Sequence, residues 1–382
     1  MIINSPYWPN SIGFINLKIF YQMSIEQHIE KMKLIQNKLI EFICDDEKVE
    51  INFQNLNIIF NDLKISENQH FFKEVLHLII KIYNNYAKPD FLDKMTRIFL
   101  IFKDKIKQTF SNIEIFNIFK TNKRILLFLI EEKIFVIDKT ISSIMTSANY
   151  WSFKYDYFFY PEMKNFLNEK LNKQIESKIP NDFEDKRRTG KNENYICQLI
   201  RDDNINEFIS YANKSNIKLK SAVEQSIFEA NLFLMKNTTL IEYAAFYGSI
   251  QIFKYLYKNN VELKPSIWLY SIHGRNAEII HILEENNVEF PGKSYNKCVN
   301  ESIKCYQNEL VDYFMNNYQQ NENENSSDFL SKALKFFNFD YIDHEKVNKS
   351  SFFDLCKYDY FILVKELLVT EDIDINAVVI LK

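Results

Sequence analysis

Glycine is almost absent from this chain: there are five in 382 residues, none of them clustered. That scarcity excludes phosphate-cradling loops of the Rossmann and P-loop kinds. Both need several glycines close together so that backbone N–H groups can reach a phosphate. Proline (seven) and tryptophan (three) are also few, and lysine greatly outnumbers arginine. No GxSxG, HExxH or CxxC pattern occurs, which removes the short signatures of common hydrolase, zinc-protease and thiol-redox chemistry. No run of about 18 apolar residues is present, so nothing reads as a bilayer span. Residues 1–22 lack the basic start and unbroken apolar stretch of a secretory signal, and a cytoplasmic location is the expectation. The net charge of −4 gives no electrostatic case for nucleic acid or an acidic membrane as partner.

Cysteine is sparse too. Cys44, Cys197, Cys298, Cys305 and Cys356 are odd in number and widely spaced. Cys298 and Cys305 lie too far apart for a metal knuckle and have no histidine near them in sequence. Free, mostly buried thiols are expected, with no metal and no cofactor.

What the chain does have is apolar and aromatic bulk, 46% hydrophobic and 15% aromatic, far too much for a disordered chain. Asn, Lys, Ile, Phe and Tyr share A- and T-rich codons, so genome composition explains the skew. Its structural consequence is that any repeat normally written in Ala, Gly and Leu will look blurred.

From Ser24 onward, apolar residues recur at spacings of three and four, as in Ile25, Ile29, Met32, Ile35, Leu39 and Phe42. Ser24 and Gln27 have the form of a capping box. No alternating run is long enough to argue for a sheet, so the fold class is all-α. Residues 1–23 read as an irregular leader and 24–180 as an N-terminal helical region with degenerate repeats. Residues 181–194, the most polar interior stretch, read as a solvated linker or loop. Residues 195–382 read as a repeat array.

The array is clearest at its centre. Residues 239–263 read TLIEYAAFYGSIQIFKYLYKNNVEL and 266–290 read SIWLYSIHGRNAEIIHILEENNVEF. The tetrapeptide Asn259-Asn260-Val261-Glu262 recurs as Asn286-Asn287-Val288-Glu289, and Gly248 and Gly274 fall at matching places. Self-similarity of this length predicts an α-solenoid of helix-turn-helix units. Gly248 and Gly274 are expected to end the first helix of each unit in the left-handed conformation. The asparagine pairs are expected to end the second. Weaker echoes fall at 116–135, 196–211, 309–314 and 356–368, the last with Asp359 in the glycine place.

The first of these segments resembles an ankyrin repeat. Thr239, Ile241, Ala244-Ala245, Gly248, Ile252-Phe253 and Leu256 stand at that family's conserved positions. Leu240, Glu242 and Asn260-Val261-Glu262 depart from its Pro, His and Gly-Ala-Asp. The resemblance covers about half the chain and implies non-catalytic binding of a protein partner through the concave wall of inner helices, a scaffold role. Tyr243, Phe246, Tyr247, Trp268 and Tyr270 fall on or near that wall, and with Lys264 and Arg275 they are the partner-binding candidates. The competing reading places those rings in the core. A structural spacer or targeting arm without a ligand groove is the alternative function.

Two other groups carry candidate chemistry. His70, Glu74 and His77 share one helical face and offer three metal ligands, but Glu67 and Lys81 extend the same face, as in a solvated stripe. His273 and His281 lie on successive predicted helices, and an interhelix hydrogen bond is expected of His273 rather than catalysis.

Overall fold

The computed structural model describes residues 24–86, 91–147, 154–318, 326–371 and 373. The break at Pro89 and the apolar tail 377–381 lie outside them, as does most of the polar run 318–328. The fold is all-α, with 69% of residues helical and no strands among the described residues. A single antiparallel bridge joins Ala222 and Thr239.

The N-terminal region holds α1 (Ile25–Cys44), α2 (Val49–Asp62), α3 (Gln69–Asn85), α4 (Phe91–Ile101), α5 (Lys103–Thr109), α6 (Asn112–Phe119), α7 (Lys123–Glu131) and α8 (Lys139–Met145). The capping box opens α1 as expected: Ser24 Oγ accepts from the Gln27 N–H, and the Gln27 side chain accepts from the Ser24 N–H. Short helices follow, α9 (Tyr155–Phe158), α10 (Tyr160–Met163), α11 (Glu169–Glu176) and α12 (Phe183–Thr189).

The last of these places a helix within 181–194, where an irregular, solvated linker or loop was expected, although most of its polar side chains are exposed. Arg187, central to α12, is buried and clasps both carboxylate oxygens of Glu162 at 2.8 Å, with Glu184 and the Phe158 carbonyl completing its partners. A single arginine can be interior when carboxylates match its charge, while its neighbours Glu184, Asp185 and Arg188 stay exposed. Gly190 then ends the helix at φ 62°.

Four helix pairs come next: α13/α14 (Tyr195–Arg201, Ile205–Lys214), α15/α16 (Leu240–Tyr247, Ile250–Lys258), α17/α18 (Ile267–Gly274, Ala277–Glu285) and α19/α20 (Asn296–Lys304, Asn308–Tyr318). First helices pack on first helices and second on second. Each pair is keyed to its neighbour through backbone atoms. The Asp203 carboxylate caps α16 through the Gln251 and Ile252 N–H groups at 3.0 Å. Asn276 Nδ2 donates to the Gly248 carbonyl at 3.0 Å, and Arg275 donates to the Cys305 carbonyl of the next pair.

The two central glycines turn out to do different work. Gly248 ends α15 in the left-handed conformation, φ 69°. Gly274 remains helical, and Arg275 takes the positive φ of 53° after α17. The requirement at Gly274 is space, because a Cβ there would sit 2.0 Å from the Ala245 carbonyl oxygen. The asparagine expectation holds in both units, with φ of 58° at Asn260 and 50° at Asn287.

The chain closes on itself. After α21 (Ser326–Phe336) come α22 (Phe352–Lys357) and α23 (Phe361–Thr370), with Asp359 between them at φ 69°, the conformation its glycine-like place requires. Of this pair, α23 packs on α1 and α3 and α22 on α21. Buried residues from Leu330 to Leu367 therefore share one apolar core with the N-terminal helices, while Cys197 to Phe314 form a second. Gln36 ties the ends together, accepting from the Phe339 N–H and donating to Asp340, each at 2.7 Å.

Candidate functional site

The aromatic candidates prove to be core. Tyr243, Phe246 and Trp268 are each about 1% exposed and Tyr270 is 6% exposed. This corrects their reading as an open binding wall, and the cause lies in what covers them. Trp268 packs against Phe290 and Phe314 of its own and the following unit. Tyr243 receives a 2.8 Å hydrogen bond from Arg201 of the preceding unit. Phe246 and Tyr270 lie under Phe233, which belongs to the long connection between α14 and α15. That connection is pinned at several points: Lys123 donates to the Ile227 carbonyl, Ala230 N–H to the Gly190 carbonyl, and Asn231 to the Asn84 carbonyl.

Tyr247 is half-buried beside Tyr243. Arg275 is engaged internally, its guanidinium 3.7 Å from the Tyr86 ring centroid and hydrogen-bonded to the Cys305 carbonyl. Of the seven candidates only Lys264 is fully exposed. It stands at the rim of a shallow hollow with Lys220, Glu242 and Glu262, floored by Ile241 and Val261. Glu242 is the fixed member, since it closes the Thr239 capping box and accepts from Ser266 Oγ at 2.6 Å.

The histidines of α3 separate. Glu74 is buried against His28 at 2.6 Å, His70 stacks on Phe361, and His77 approaches Asp359 at 3.6 Å. Their shared face is the seam where α3 meets the C-terminal helix pair, with His70 at its exposed edge. Burial holds both His70 and His77 below the usual imidazole range.

His273 does make the interhelix bond expected of it. Its Nε2 lies 2.7 Å from Glu301 Oε1 on α19. His281 is exposed on α18 and pairs with Glu285 at 3.1 Å, so the two histidines never meet. Around His273 gather groups that the sequence did not bring together. Cys305 Sγ is 3.5 Å and 3.6 Å from the two ring nitrogens, and Lys304 Nζ is 2.6 Å from the same Glu301 oxygen. Phe246 and Phe233 lie against the imidazole with centroids at 4.9 and 4.5 Å, fixing its plane. Burial holds the imidazole below its usual range. Burial would also raise the Glu301 carboxyl, but its bonds to His273 and Lys304 prevail and hold it at about 2. The Cys305 thiol is pushed well up by burial. One donor atom from each of His273, Glu301 and Cys305 lies within 4.8 Å of the other two. Glu301 lies one repeat length after His273, and residues separated by a repeat length are those that stacked units bring together.

No helix among the described residues is long and apolar enough to cross a membrane. No protein-family profile, no curated protein and no solved structure matches the chain.

Proposed function

We propose that the chain is a non-catalytic protein-interaction module built as an ankyrin-type solenoid. The observation that carries this reading is the register of its central units. Asp203, Gly248, Arg275 and Tyr306 each adopt positive φ between the two helices of a pair, and the pairs lie side by side with first helices against first. Such an array is stabilised by nearest-neighbour stacking and presents surface rather than enclosing a reaction. With the aromatic wall buried, the partner surface moves to the hollow beside Lys264. Its exposed Lys220, Glu262 and Lys264 and its apolar floor suit a protein segment that offers one apolar side chain between charges of both signs.

A second reading, a spacer or targeting arm without a ligand groove, draws on the inner-helix face, where the chain's own Phe233 covers Phe246, Tyr270 and His273. The test is affinity capture from the native cell with wild type, Lys220→Glu/Lys264→Glu and Trp268→Ala chains. The charge-reversed chain is expected to lose the wild-type partners while keeping its melting temperature. Trp268→Ala is expected to lose them together with about 3–5 kcal/mol of stability. Retention of the same partners by the charge-reversed chain removes the hollow as the binding surface.

A further inference from the structure

We propose that His273, Glu301 and Cys305 bind one divalent cation of the zinc class, through imidazole Nε2, carboxylate Oε1 and thiolate Sγ. Imidazole nitrogen, carboxylate oxygen and thiolate sulfur are the donors zinc takes in proteins, and three protein ligands with one further position is the pattern of a site accessible to small molecules. Glu301 and Cys305 lie four residues apart, so they rise from one face of the α19 end. His273 faces them from the neighbouring first helix, α17, and its ring is already held in place by Phe233 and Phe246.

The three donor atoms lie within 4.8 Å of one another, so ligation needs side-chain adjustment rather than backbone movement. Bonds of about 2.0–2.3 Å in a tetrahedron place donor atoms roughly 3.3–3.8 Å apart. The nitrogen–sulfur distance is 3.6 Å and the nitrogen–oxygen distance 2.7 Å. For Nε2 to ligate, the imidazole must carry its proton on Nδ1, so that the Nε2 lone pair faces the cation in place of the bond to Glu301, and the nitrogen–oxygen pair must open by about 0.6 Å as the cation enters.

Two groups oppose entry, and both define the test. The Cys305 proton must leave to solvent as the metal–sulfur bond forms, so each cation bound releases one thiol proton. The Lys304 ammonium already neutralises Glu301, and it must swing outward. It can do so because its side chain is 19% exposed and carried on a flexible stem. Lys304 thus acts as a built-in competitor for the cation, and removing its charge should strengthen binding. A merely structural His–Glu pair gives no reason for such a gain.

The experiment titrates the full-length chain with Co²⁺ as the optical probe and Zn²⁺ as its competitor. Expected are tetrahedral visible bands and a thiolate-to-cobalt charge-transfer band that saturate at one equivalent and vanish on adding Zn²⁺. Cys305→Ser should abolish the charge-transfer band, and His273→Gln should weaken binding at least about tenfold. Lys304→Met should tighten binding by about tenfold or more, since it removes a competing cation within contact distance. Circular dichroism of each variant verifies that the fold persists. Absence of a charge-transfer band in both wild type and Lys304→Met overturns the site. Persistence of the band in folded Cys305→Ser assigns the cobalt to another cysteine and overturns it equally.

Discussion

Replacing Gly274 with alanine is a demanding test of how the units are spaced. In an ordinary helix interior Gly→Ala is favourable by about 1 kcal/mol, because it removes backbone entropy from the unfolded chain. Gly274 is helical, so local propensity alone predicts a stabilised protein. The packing predicts the opposite. The added Cβ lies 2.0 Å from the Ala245 carbonyl oxygen and 2.9 Å from the Gly248 nitrogen, both backbone atoms of the neighbouring unit. Ordinary contact begins near 3.4 Å, so α15 and α17 must part by more than an ångström. That motion strains the bond from the Asn276 side chain to the Gly248 carbonyl and the turn in which Gly248 N–H donates to Ala245. Overpacking of this kind costs about 1–3 kcal/mol, and here it acts on backbone that cannot rotate away. At the upper end of that range, about 3 kcal/mol, the propensity gain leaves a net loss of about 2 kcal/mol. For a cooperative unit of about 150–250 residues that corresponds to about 4–8 °C in melting temperature by calorimetry. Gly292→Ala is the control. Gly292, unlike Gly274, is at positive φ, and its Cβ would meet only the flexible end of Lys297, so its cost should stay near 1 kcal/mol, the left-handed penalty alone. Gly248→Ala and Gly274→Ala should also be less than additive, because separating the helices once relieves both contacts. A Gly274→Ala chain that melts at or above the wild-type temperature refutes the close approach of α15 and α17.

Arg187→Ala should cost about 3 kcal/mol in a urea melt, because it leaves the Glu162 carboxylate without its bidentate partner in a mostly buried setting; a loss below about 1 kcal/mol would restore the solvated-linker reading of α12. The α3 seam should weaken with acid. His70 and His77 are held below the usual imidazole range by burial, so below about pH 6.5 the unfolded chain takes up protons that the folded chain refuses, and stability falls. Burial raises the Asp359 carboxyl, but His77 and Lys73 outweigh it and hold it low; its contribution is present above about pH 4 and lost below that. The slope of melting temperature against pH between 7 and 5 should therefore be shallower in His77→Gln than in wild type, and parallel slopes would exclude His77 as a source.

How much of this was legible in the sequence depends on the distance over which each interaction acts. Helix type and caps are local, and the capping boxes at Ser24 and Thr239 appear where the residue pattern places them. The positive-φ asparagines are local too. The blurred units hid because Asp203, Tyr306 and Asp359 stand where glycine is expected, and each adopts positive φ regardless. At Asp203 the strain is offset by a side chain that caps the next unit's second helix, and at Asp359 by one that gathers Lys73 and His77. A residue chosen for such a contact removes the glycine signal from the unit it serves.

Burial of the aromatic wall was not legible, because periodicity shows that a face is apolar without showing what lies on it. Here Arg201, Phe233 and Phe290 cover it, from three different segments. The packing of α23 on α1 and α3 was hidden for a similar reason: a helix pair carries its own internal pattern whatever it stacks on. The His273 cluster lies between these limits. Its members are separated by 28 and 4 residues, one repeat and one helical turn. Once a repeat length is known, donor residues one repeat apart become candidate neighbours, and Cys305 then acquires the histidine that its local sequence lacks. A repeat array therefore encodes its sites at the period of the repeat, and a search confined to short motifs will miss them.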